Sequence, residues 1–241
     1  MSEILSVRGL CKRYPGFALK DVSFSLEEGY IMGFIGRNGA GKTTTIKSML
    51  NMIRPDAGEI RFFGHDLCEN EMETRCRIGV VPGAADYYPT KTLSAIADVT
   101  RRFYPEWDAK RFENCLRRFH LDPAKRVNQL SQGMRVKFSI ALALSHNARL
   151  LIMDEPTSGL DPVSRDELLE IFQTLIEDGS HSILFSTHIT SDLEKCADDI
   201  VYIRSGKIVS ALPKDEFLQK NAQNGETLEQ AMLRMEREAT A

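Results

Sequence analysis

The chain has 241 residues, of which 31 are basic and 34 acidic, so its formal net charge is −3. That balance supplies no overall field for holding nucleic acid through its phosphates, and the five cysteines, none in a C-x-x-C pair, indicate neither a disulfide framework nor a zinc site. No apolar stretch approaches the roughly 18 to 20 residues of a membrane-spanning helix, and the first six residues carry no secretory signal, so a soluble cytosolic protein without a nucleic-acid partner is predicted.

The N-terminal part of the chain predicts strands followed by one helix. Apolar and polar side chains alternate within residues 3–35, as expected for half-buried antiparallel strands, and residues 30–35 form an apolar run typical of a buried strand. Helical spacing follows over residues 44–52, and a turn leads to a predicted strand at residues 59–63. The pattern indicates an antiparallel β subdomain beside a buried strand.

A glycine-rich loop lies between the buried strand and the helix. Residues 36–43 read G-x-x-x-x-G-K-T, with Gly36, Gly41, Lys42 and Thr43 at the defining positions. The glycines let backbone N–H groups face the α- and β-phosphates, the lysine reaches the β- and γ-phosphates, and the threonine hydroxyl ligates Mg²⁺. The following helix directs the positive end of its dipole at the same anion. The loop therefore predicts a site for a nucleoside triphosphate and Mg²⁺.

The rest of the chain alternates short apolar strands and helices after a helical insertion at residues 91–146. Strands are predicted at residues 149–153 and 182–186, helices at Pro162–Ile176 and residues 190–197, and a hairpin over a Ser-Gly turn at residues 200–209. Such alternation predicts an α/β fold whose parallel sheet is covered on both faces. The last twenty residues are compatible with a marginal helix or a frayed end.

Two adjacent carboxylates end the apolar strand at residues 149–153. Asp154 is placed to bind a metal ion, directly or through a water molecule. Glu155 points differently and is placed to polarise a water that attacks a γ-phosphate. For the dipeptide alone, an Asp-Glu pair in a loop or at a helix start would be the simpler interpretation. The glycine-rich loop upstream favours the catalytic interpretation.

Two further motifs complete an ordered series. Residues 130–134 read Leu-Ser-Gln-Gly-Met at a helix start, and residues 156–162 read Pro-Thr-Ser-Gly-Leu-Asp-Pro. With the glycine-rich loop and the carboxylate pair, the series resembles the ATP-binding subunits of ABC transporters over nearly the whole chain. The resemblance implies one ATPase domain over residues 1–241. It comprises a P-loop NTPase core of mostly parallel sheet, flanking helices and an antiparallel β subdomain (1–90 and 147–215), an inserted helical subdomain (91–146) and a C-terminal extension (216–241).

The resemblance also assigns roles to single residues. The family's signature binds the γ-phosphate of ATP held by the other subunit, and Leu130, Ser131 and Gly133 match it here. His188 corresponds to the switch histidine, and Tyr14 to the aromatic that stacks on adenine. Alone, these residues also fit a helix cap, a structural histidine and a partly buried strand tyrosine. The implied ATP ligands are Tyr14, Gly36, Arg37, Asn38, Gly39, Ala40, Gly41, Lys42, Thr43, Thr44, Ser131 and Gly133; Thr43 and Asp154 hold Mg²⁺, and Glu155, His188 and Lys42 are catalytic.

Two regions depart from this pattern or leave alternatives open. The family usually carries Gln where this chain has Gly83, and we hypothesise that water or a neighbour such as Asp86 fills that space. Aromatic residues cluster in and before the helical insertion: Tyr87, Tyr88, Phe103, Tyr104 and Trp107. They fit equally a groove for a membrane subunit's helix and the core of the helical subdomain.

The resemblance implies a function and its rivals. The expected protein is a cytoplasmic ATPase subunit, peripheral on the membrane, that pairs with an identical or different ATPase chain and drives a separate integral membrane permease. Details of the motifs resemble bacterial exporters of the ABC-2 type, which move peptides, antibiotics or lipids. One alternative is a soluble ABC ATPase with a mechanical role on the ribosome or DNA. Another is an unrelated P-loop kinase or GTPase.

Overall fold

A computed structural model describes residues 2–82, 87–223 and 225–238. These residues form ten strands: β1 (Glu3–Tyr14), β2 (Phe17–Glu27), β3 (Ile31–Ile35), β4 (Ala57–Phe62), β5 (His65–Asp66), β6 (Ile78–Val81), β7 (Leu150–Asp154), β8 (Ser182–Thr187), β9 (Asp199–Arg204) and β10 (Lys207–Pro213). The same residues form nine α-helices: α1 (Lys42–Met49), α2 (Glu71–Cys76), α3 (Leu93–Thr100), α4 (Ala109–Arg118), α5 (Gln132–Ser145), α6 (Pro162–Ile176), α7 (Thr190–Cys196), α8 (Lys214–Asn221) and α9 (Leu228–Glu238). The sequence did not predict β5, β6, α2 or α8.

Two sheets carry the fold. The first is antiparallel in the order β2-β1-β4-β5, as the alternating N-terminal pattern predicted. The second has the order β10-β9-β3-β8-β7-β6, in which β9, β3, β8, β7 and β6 are parallel and β10 joins as an antiparallel edge. Since β8 lies between β3 and β7, the loops after these three strands meet at one edge of the second sheet.

Both faces of the second sheet are buried, which explains its continuous apolar strands. Ile183 and Phe185 of β8 point into the core shared with the helices, and Leu184 points into the core shared with the first sheet and α1. The predicted α/β fold with a covered parallel sheet is thus confirmed.

The helical region follows β6. Helix α5 packs on α4 and on β6. One 3-10 turn, Arg101–Phe103, lies between α3 and α4, and another, Val127–Gln129, lies between α4 and α5. A bridge between Thr92 and Arg126 is the one β-type pairing recorded for the described part of this region. The predicted near-absence of strand in this insertion therefore agrees with the structure.

The hairpin of β9 and β10 reaches back to the N-terminal part of the chain. Gly206 has φ of 76°, and its N–H donates to Ala40 O at 2.9 Å while its carbonyl accepts from Lys20 N at 2.8 Å. A Cβ at Gly206 would lie 1.8 Å from Ala18 O, so only glycine fits this turn. The turn thereby fastens β2 to the loop after β3.

The boundaries of several predicted elements shift by a few residues. The helix predicted over residues 44–52 begins at Lys42 and ends at Met49, because Asn51 adopts a left-handed conformation with φ of 53°. Helix α6 spans Pro162–Ile176 as predicted, with Asp161 as its N-cap. The C-terminal residues form two helices, and α9 is held by buried Leu228, Ala231 and Met232. Within the described residues, no helix combines the length and the apolar character needed to cross a membrane.

Candidate functional site

The loop between β3 and α1 curls back on itself. Gly39 and Gly41 have φ of 81° and 117°, conformations that side chains with a Cβ rarely adopt. Ala40 N donates to Arg37 O at 3.0 Å, which closes the turn. Gly41 precedes α1 without a side-chain cap, so the first N–H groups of the helix are free of any competing side-chain acceptor at that position. A loop of this shape can receive an anion.

Lys42 lies across the mouth of this loop. Its side chain is 4% exposed, and Nζ donates to Gly36 O at 2.7 Å. The same Nζ lies 3.1 Å from Glu155 Oε1. A buried ammonium requires such partners, since burial without them is costly. The sequence predicted Lys42 at this site, but its ion pair with Glu155 depends on the order of the strands.

Glu155 contacts two other predicted residues, Lys42 and His188. Its Oε2 lies 3.2 Å from His188 Nδ1, while Oε1 contacts Lys42. Its backbone has φ of 48°, unusual for a residue other than glycine, and its N–H donates to both the carbonyl of Ser186 (3.1 Å) and the hydroxyl of Ser186 (2.9 Å). This backbone geometry directs the carboxylate between the lysine and the histidine.

Ser186 also orients the neighbouring carboxylate. Its hydroxyl donates to Asp154 Oδ1 at 2.6 Å. Asp154 Oδ2 makes no hydrogen bond to the described residues, and Asp154 lines the same cavity as Thr43. A hydroxyl and a carboxylate oxygen are ligands that Mg²⁺ accepts beside substrate phosphates, so the donor set fits the predicted ion. The sequence analysis assigned no role to Ser186, although it lies only two residues before His188.

A cavity of about 810 Å³ brings most of the predicted phosphate and metal ligands together. Its lining comprises Gly16, Phe17, Asn38, Gly39, Gly41, Lys42, Thr43, Thr44, Asp154 and Glu155. Gly36 and Ala40 are buried in the loop behind it. This volume suits a phosphorylated ligand of moderate size.

Tyr14 does not line this cavity. Tyr14 is 40% exposed, and its ring centroid lies 5.6 Å from Lys12 Nζ. Phe17, which pairs with Tyr14 across the β1–β2 turn, lines the cavity instead and approaches Gly41. A role of Tyr14 in stacking on adenine remains a prediction, and Phe17 is an aromatic that the sequence analysis missed.

Ser131 and Gly133 also lie away from the cavity of their own chain. Ser131 is exposed and caps α5, accepting a hydrogen bond from Met134 N at 3.3 Å. Gly133 is buried, and a Cβ added to it would meet Ser164 Cβ at 3.5 Å. The structure confirms the capping interpretation of Ser131 and leaves its contact with nucleotide as a prediction.

A second cavity, of about 930 Å³, adjoins the other side of the glycine-rich loop. Arg37, Asn38 and His188 line it together with residues of α9, among them Leu233 and Glu236. Glu236 accepts a hydrogen bond from the Tyr202 hydroxyl and lies 3.8 Å from Arg37 Nη1. Burial, followed by this hydrogen bond and the charge of Glu236, raises the pKa of Tyr202. The C-terminal helix thus borders the site, which its marginal sequence signal did not indicate.

The aromatic cluster divides between the two interpretations left open by the sequence. Tyr87 bonds to Ser139 at 3.0 Å, Tyr104 stacks on His146 with centroids 3.8 Å apart, and Trp107 lies against Phe112. Two members are exposed instead: Tyr88 at 77% and Phe103 at 69%. Core packing accounts for the first group, and the exposed pair is compatible with a docking surface. Gly83 and Asp86 lie outside the described residues.

The fold and the site together define a class: an α/β P-loop protein whose phosphate loop, carboxylate pair and histidine meet at one edge of a parallel sheet. The family model described as ABC transporter matches residues 19–158. The chain therefore belongs to the ABC transporter family, as an ATP-binding subunit with ATPase activity.

Curated relatives support this membership over most of the chain. The bacitracin transport ATP-binding protein BcrA of Bacillus licheniformis is 33% identical over 224 residues, covering 92% of this chain and 73% of the relative. The Nod factor export ATP-binding protein I of Ralstonia nicotianae is 36% identical over 213 residues, covering 86% of this chain and 66% of the relative. A solved structure of an ATP-binding subunit of an ABC transporter superposes with a TM-score of 0.84 at 28% identity, covering 96% of this chain and 98% of that one.

Proposed function

We propose that this chain powers an ABC exporter by binding Mg·ATP between two ATPase subunits and hydrolysing it. The observation that carries the proposal is the meeting of Lys42, Glu155 and His188 within 3.2 Å beside the cavity of the phosphate loop. These residues come from loops after three different strands, and their side chains supply a cation, a base and an imidazole at one point. That combination suits phosphoryl transfer to water.

Each residue has a separate task in the proposed reaction. The loop amides and Lys42 bind the phosphates, and Lys42 then donates to them in place of Glu155. Glu155, released from the lysine, accepts a proton from the attacking water, while His188 donates to the γ-phosphate. Mg²⁺, held by Thr43 and Asp154, would neutralise charge on the phosphates. Ser186 keeps the Asp154 carboxylate turned toward that position through its hydrogen bond of 2.6 Å.

The location of Ser131 supports a paired arrangement. Ser131 is exposed at the start of the 14-residue helix α5, yet it does not line the phosphate cavity of its own chain. A helix start favours an anion, and a second subunit packed head to tail would bring its Ser131 to the γ-phosphate. ADP lacks that phosphate, so hydrolysis removes the link and the pair reopens.

The names of the relatives support the exporter assignment. Two of them are named for bacitracin transport and for Nod factor export. By analogy, we infer that this chain works on the cytoplasmic face of the membrane with a separate integral membrane permease that moves peptides, antibiotics or lipids. Within the chain, residues 1–90 and 147–215 are the proposed ATPase core, residues 91–146 the helical subdomain that meets the permease, and residues 216–241 an extension.

The decisive experiment uses the Glu155→Gln variant. We expect purified Glu155→Gln protein to become dimeric in Mg·ATP, and to stay monomeric in Mg·ADP, when mass is measured by light scattering after gel filtration. Glu59→Gln, which changes a half-buried glutamate of β4 outside the phosphate cavity, is the matched control and is expected to retain hydrolysis. If Glu155→Gln stays monomeric at saturating Mg·ATP, also when a suitable second ATPase chain is supplied, the paired mechanism is wrong.

A second experiment separates the exporter from the ribosome or DNA alternative. Affinity-tagged chain, isolated from its native cells in mild detergent, is expected to copurify with a multi-span membrane protein. Copurification with ribosomes or DNA instead would contradict the exporter assignment while leaving the ATPase activity intact.

A further inference from the structure

Asp192, in the first turn of α7, is a carboxylate with no exposed surface. Its Oδ1 accepts from Arg165 Nε at 2.5 Å. Its Oδ2 accepts from the hydroxyls of Thr157, at 2.7 Å, and Thr187, at 3.2 Å. A charge this deeply buried is tolerated because it is paired with a cation and hydrogen-bonded on both oxygens.

The two threonines belong to the segments that carry the proposed catalytic side chains. Thr157 is two residues after Glu155, and Thr187 directly precedes His188. Both threonines are about 1% exposed, and each hydroxyl has one proton to donate, which goes to Asp192. The Thr187 hydroxyl also accepts from Ile189 N at 3.0 Å, so it fixes the backbone on both sides of His188.

Arg165 extends the same network into α6. The helix begins after Asp161, at the end of the segment that starts with Glu155, and Arg165 N donates to Asp161 O at 3.0 Å. The guanidinium contacts both Asp192 and the hydroxyl of Ser191. Asp192 therefore joins α6 and α7 to the two segments that end in the site.

We propose that Asp192 is a positioning residue for ATP hydrolysis, holding the segments of Glu155 and His188 in fixed register through the hydroxyls of Thr157 and Thr187. The inference rests on the proposed function, because it concerns the step that Glu155 and His188 carry out. It predicts that loss of the network lets the 3.2 Å contact between these two side chains vary. The phosphate loop is held by other contacts, so nucleotide binding is expected to change little.

A neighbouring ion pair provides a matched comparison. Asp166 of α6 pairs with Lys195 of α7 at 2.5 Å, so it joins the same two helices, but its side chain is 60% exposed. No hydrogen bond joins this pair to Thr157 or Thr187 within the described residues. If Asp192 only attached α6 to α7, replacing Asp192 and replacing Asp166 would have similar effects on ATP hydrolysis. If Asp192 positions Glu155 and His188, only its replacement lowers kcat.

The test measures kcat and KM for ATP in three variants. Asp192→Asn replaces the Oδ1 acceptor of Arg165 or the acceptor of the threonines with an NH₂ donor, and Thr157→Val removes one hydroxyl while keeping the size of the side chain. We expect kcat to fall about tenfold or more in both, with KM within about twofold of wild type. Asp166→Asn, the control, is expected to keep both constants.

A second readout separates positioning from loss of stability. Amide exchange measured by mass spectrometry is expected to accelerate in peptides covering residues 154–161 and 186–190, and to stay unchanged in those covering α1. The double variant Asp192→Asn/Thr157→Val is expected to lose no more kcat than Asp192→Asn alone. Both changes break the same hydrogen bond, the one from Thr157 to Asp192, so their effects do not add.

The possible outcomes differ for the two proposals. If wild type hydrolyses ATP and Thr157→Val matches it in kcat and in exchange, the positioning role is wrong while the proposed function stands. The same conclusion follows if Asp166→Asn loses as much kcat as Asp192→Asn. If Asp192→Asn does not fold, Thr157→Val decides. If wild type protein hydrolyses no ATP, the proposed function itself fails.

Discussion

The starts of helices α1 and α5 carry the two motifs that we propose to bind phosphate, and they differ in how they are built. Gly41 precedes α1 and offers no side-chain acceptor, so the first N–H groups of α1 can serve a ligand within the same chain. Ser131 caps α5 with its own hydroxyl and stays exposed, apart from the phosphate cavity. The first start lies beside Lys42, Glu155 and Thr43 in the phosphate cavity, whereas Ser131 does not line that cavity. One subunit therefore holds the phosphate loop inside its own cavity and presents Ser131 elsewhere on its surface, which supports a site completed by a second subunit.

The largest expected effect concerns the phosphate site at the start of α1. Glu155→Gln removes the proposed base, so we expect kcat for ATP hydrolysis to fall by about 100-fold or more. Binding of Mg·ATP, measured by equilibrium dialysis, is expected to persist because Lys42 and the loop amides are untouched. A variant that still hydrolyses ATP at near wild-type rates would show that Glu155 is not the base.

The next effect concerns α9, which lines a cavity beside the phosphate loop. Met232 is 8% exposed and packs in the core, so Met232→Ala is expected to lower the free energy of unfolding by about 2 to 3 kcal/mol, measured by urea denaturation. Leu233→Ala, a half-exposed neighbour on the same helix, is the control and is expected to cost much less. Equal, negligible effects would mean that α9 is not docked in solution.

Ser131→Ala tests the proposed role of the start of α5. Loss of the cap is expected to cost about 1 kcal/mol of stability, and dimerisation of a Ser131→Ala/Glu155→Gln protein in Mg·ATP is expected to weaken. Thr92→Ala removes the equivalent hydroxyl cap of α3, which accepts from Ala95 N at 3.2 Å. It is therefore expected to cost similar stability without weakening the dimer. Equal losses of dimer in both variants would contradict a specific role for Ser131.

The smallest effect lies at the opposite edge of the second sheet, where β9 begins. Burial, with the charges of Asp198 and Glu27, raises the pKa of Asp199 to about 6. Because the folded state holds this proton more tightly than the unfolded chain, the cost in stability grows as pH rises from about 4 to about 6, is complete above that range, and is absent below it. Asp199→Asn is therefore expected to raise the melting temperature at pH 7.5 and to have little effect at pH 4.5. A pH-independent difference between the two proteins would exclude this linkage.

Local rules of the sequence predicted much of the fold. Alternating side chains identified the antiparallel N-terminal strands, and the Asp161-Pro162 pair placed the start of α6 at the correct residue. The Ser-Gly turn correctly placed the hairpin of β9 and β10. Weak or very short elements, such as β5 and α2, were missed because two to six residues do not establish a period.

Local sequence rules predicted only part of the candidate site. Gly41, Lys42, Thr43, Asp154 and Glu155 lie in two short motifs, each of which can be read from adjacent residues, and the structure places all five residues around one cavity. The hydrogen bonds from Ser186 to Asp154 and from Thr157 to Asp192 join residues 32 and 35 positions apart. No local pattern encodes such contacts.

The sequence by itself determined the parts that depend on near neighbours: the curled phosphate loop, the capped helix starts, the strand that ends in two carboxylates, and hence the family. The tertiary structure alone decided that β8 lies between β3 and β7, which brings His188 to Glu155 and buries Asp192 beneath both segments. It also decided that α9 docks beside the phosphate loop. The physical reason is that strand order and helix docking are set by burial of apolar faces distant in sequence, whereas turns, caps and periods are set by adjacent residues.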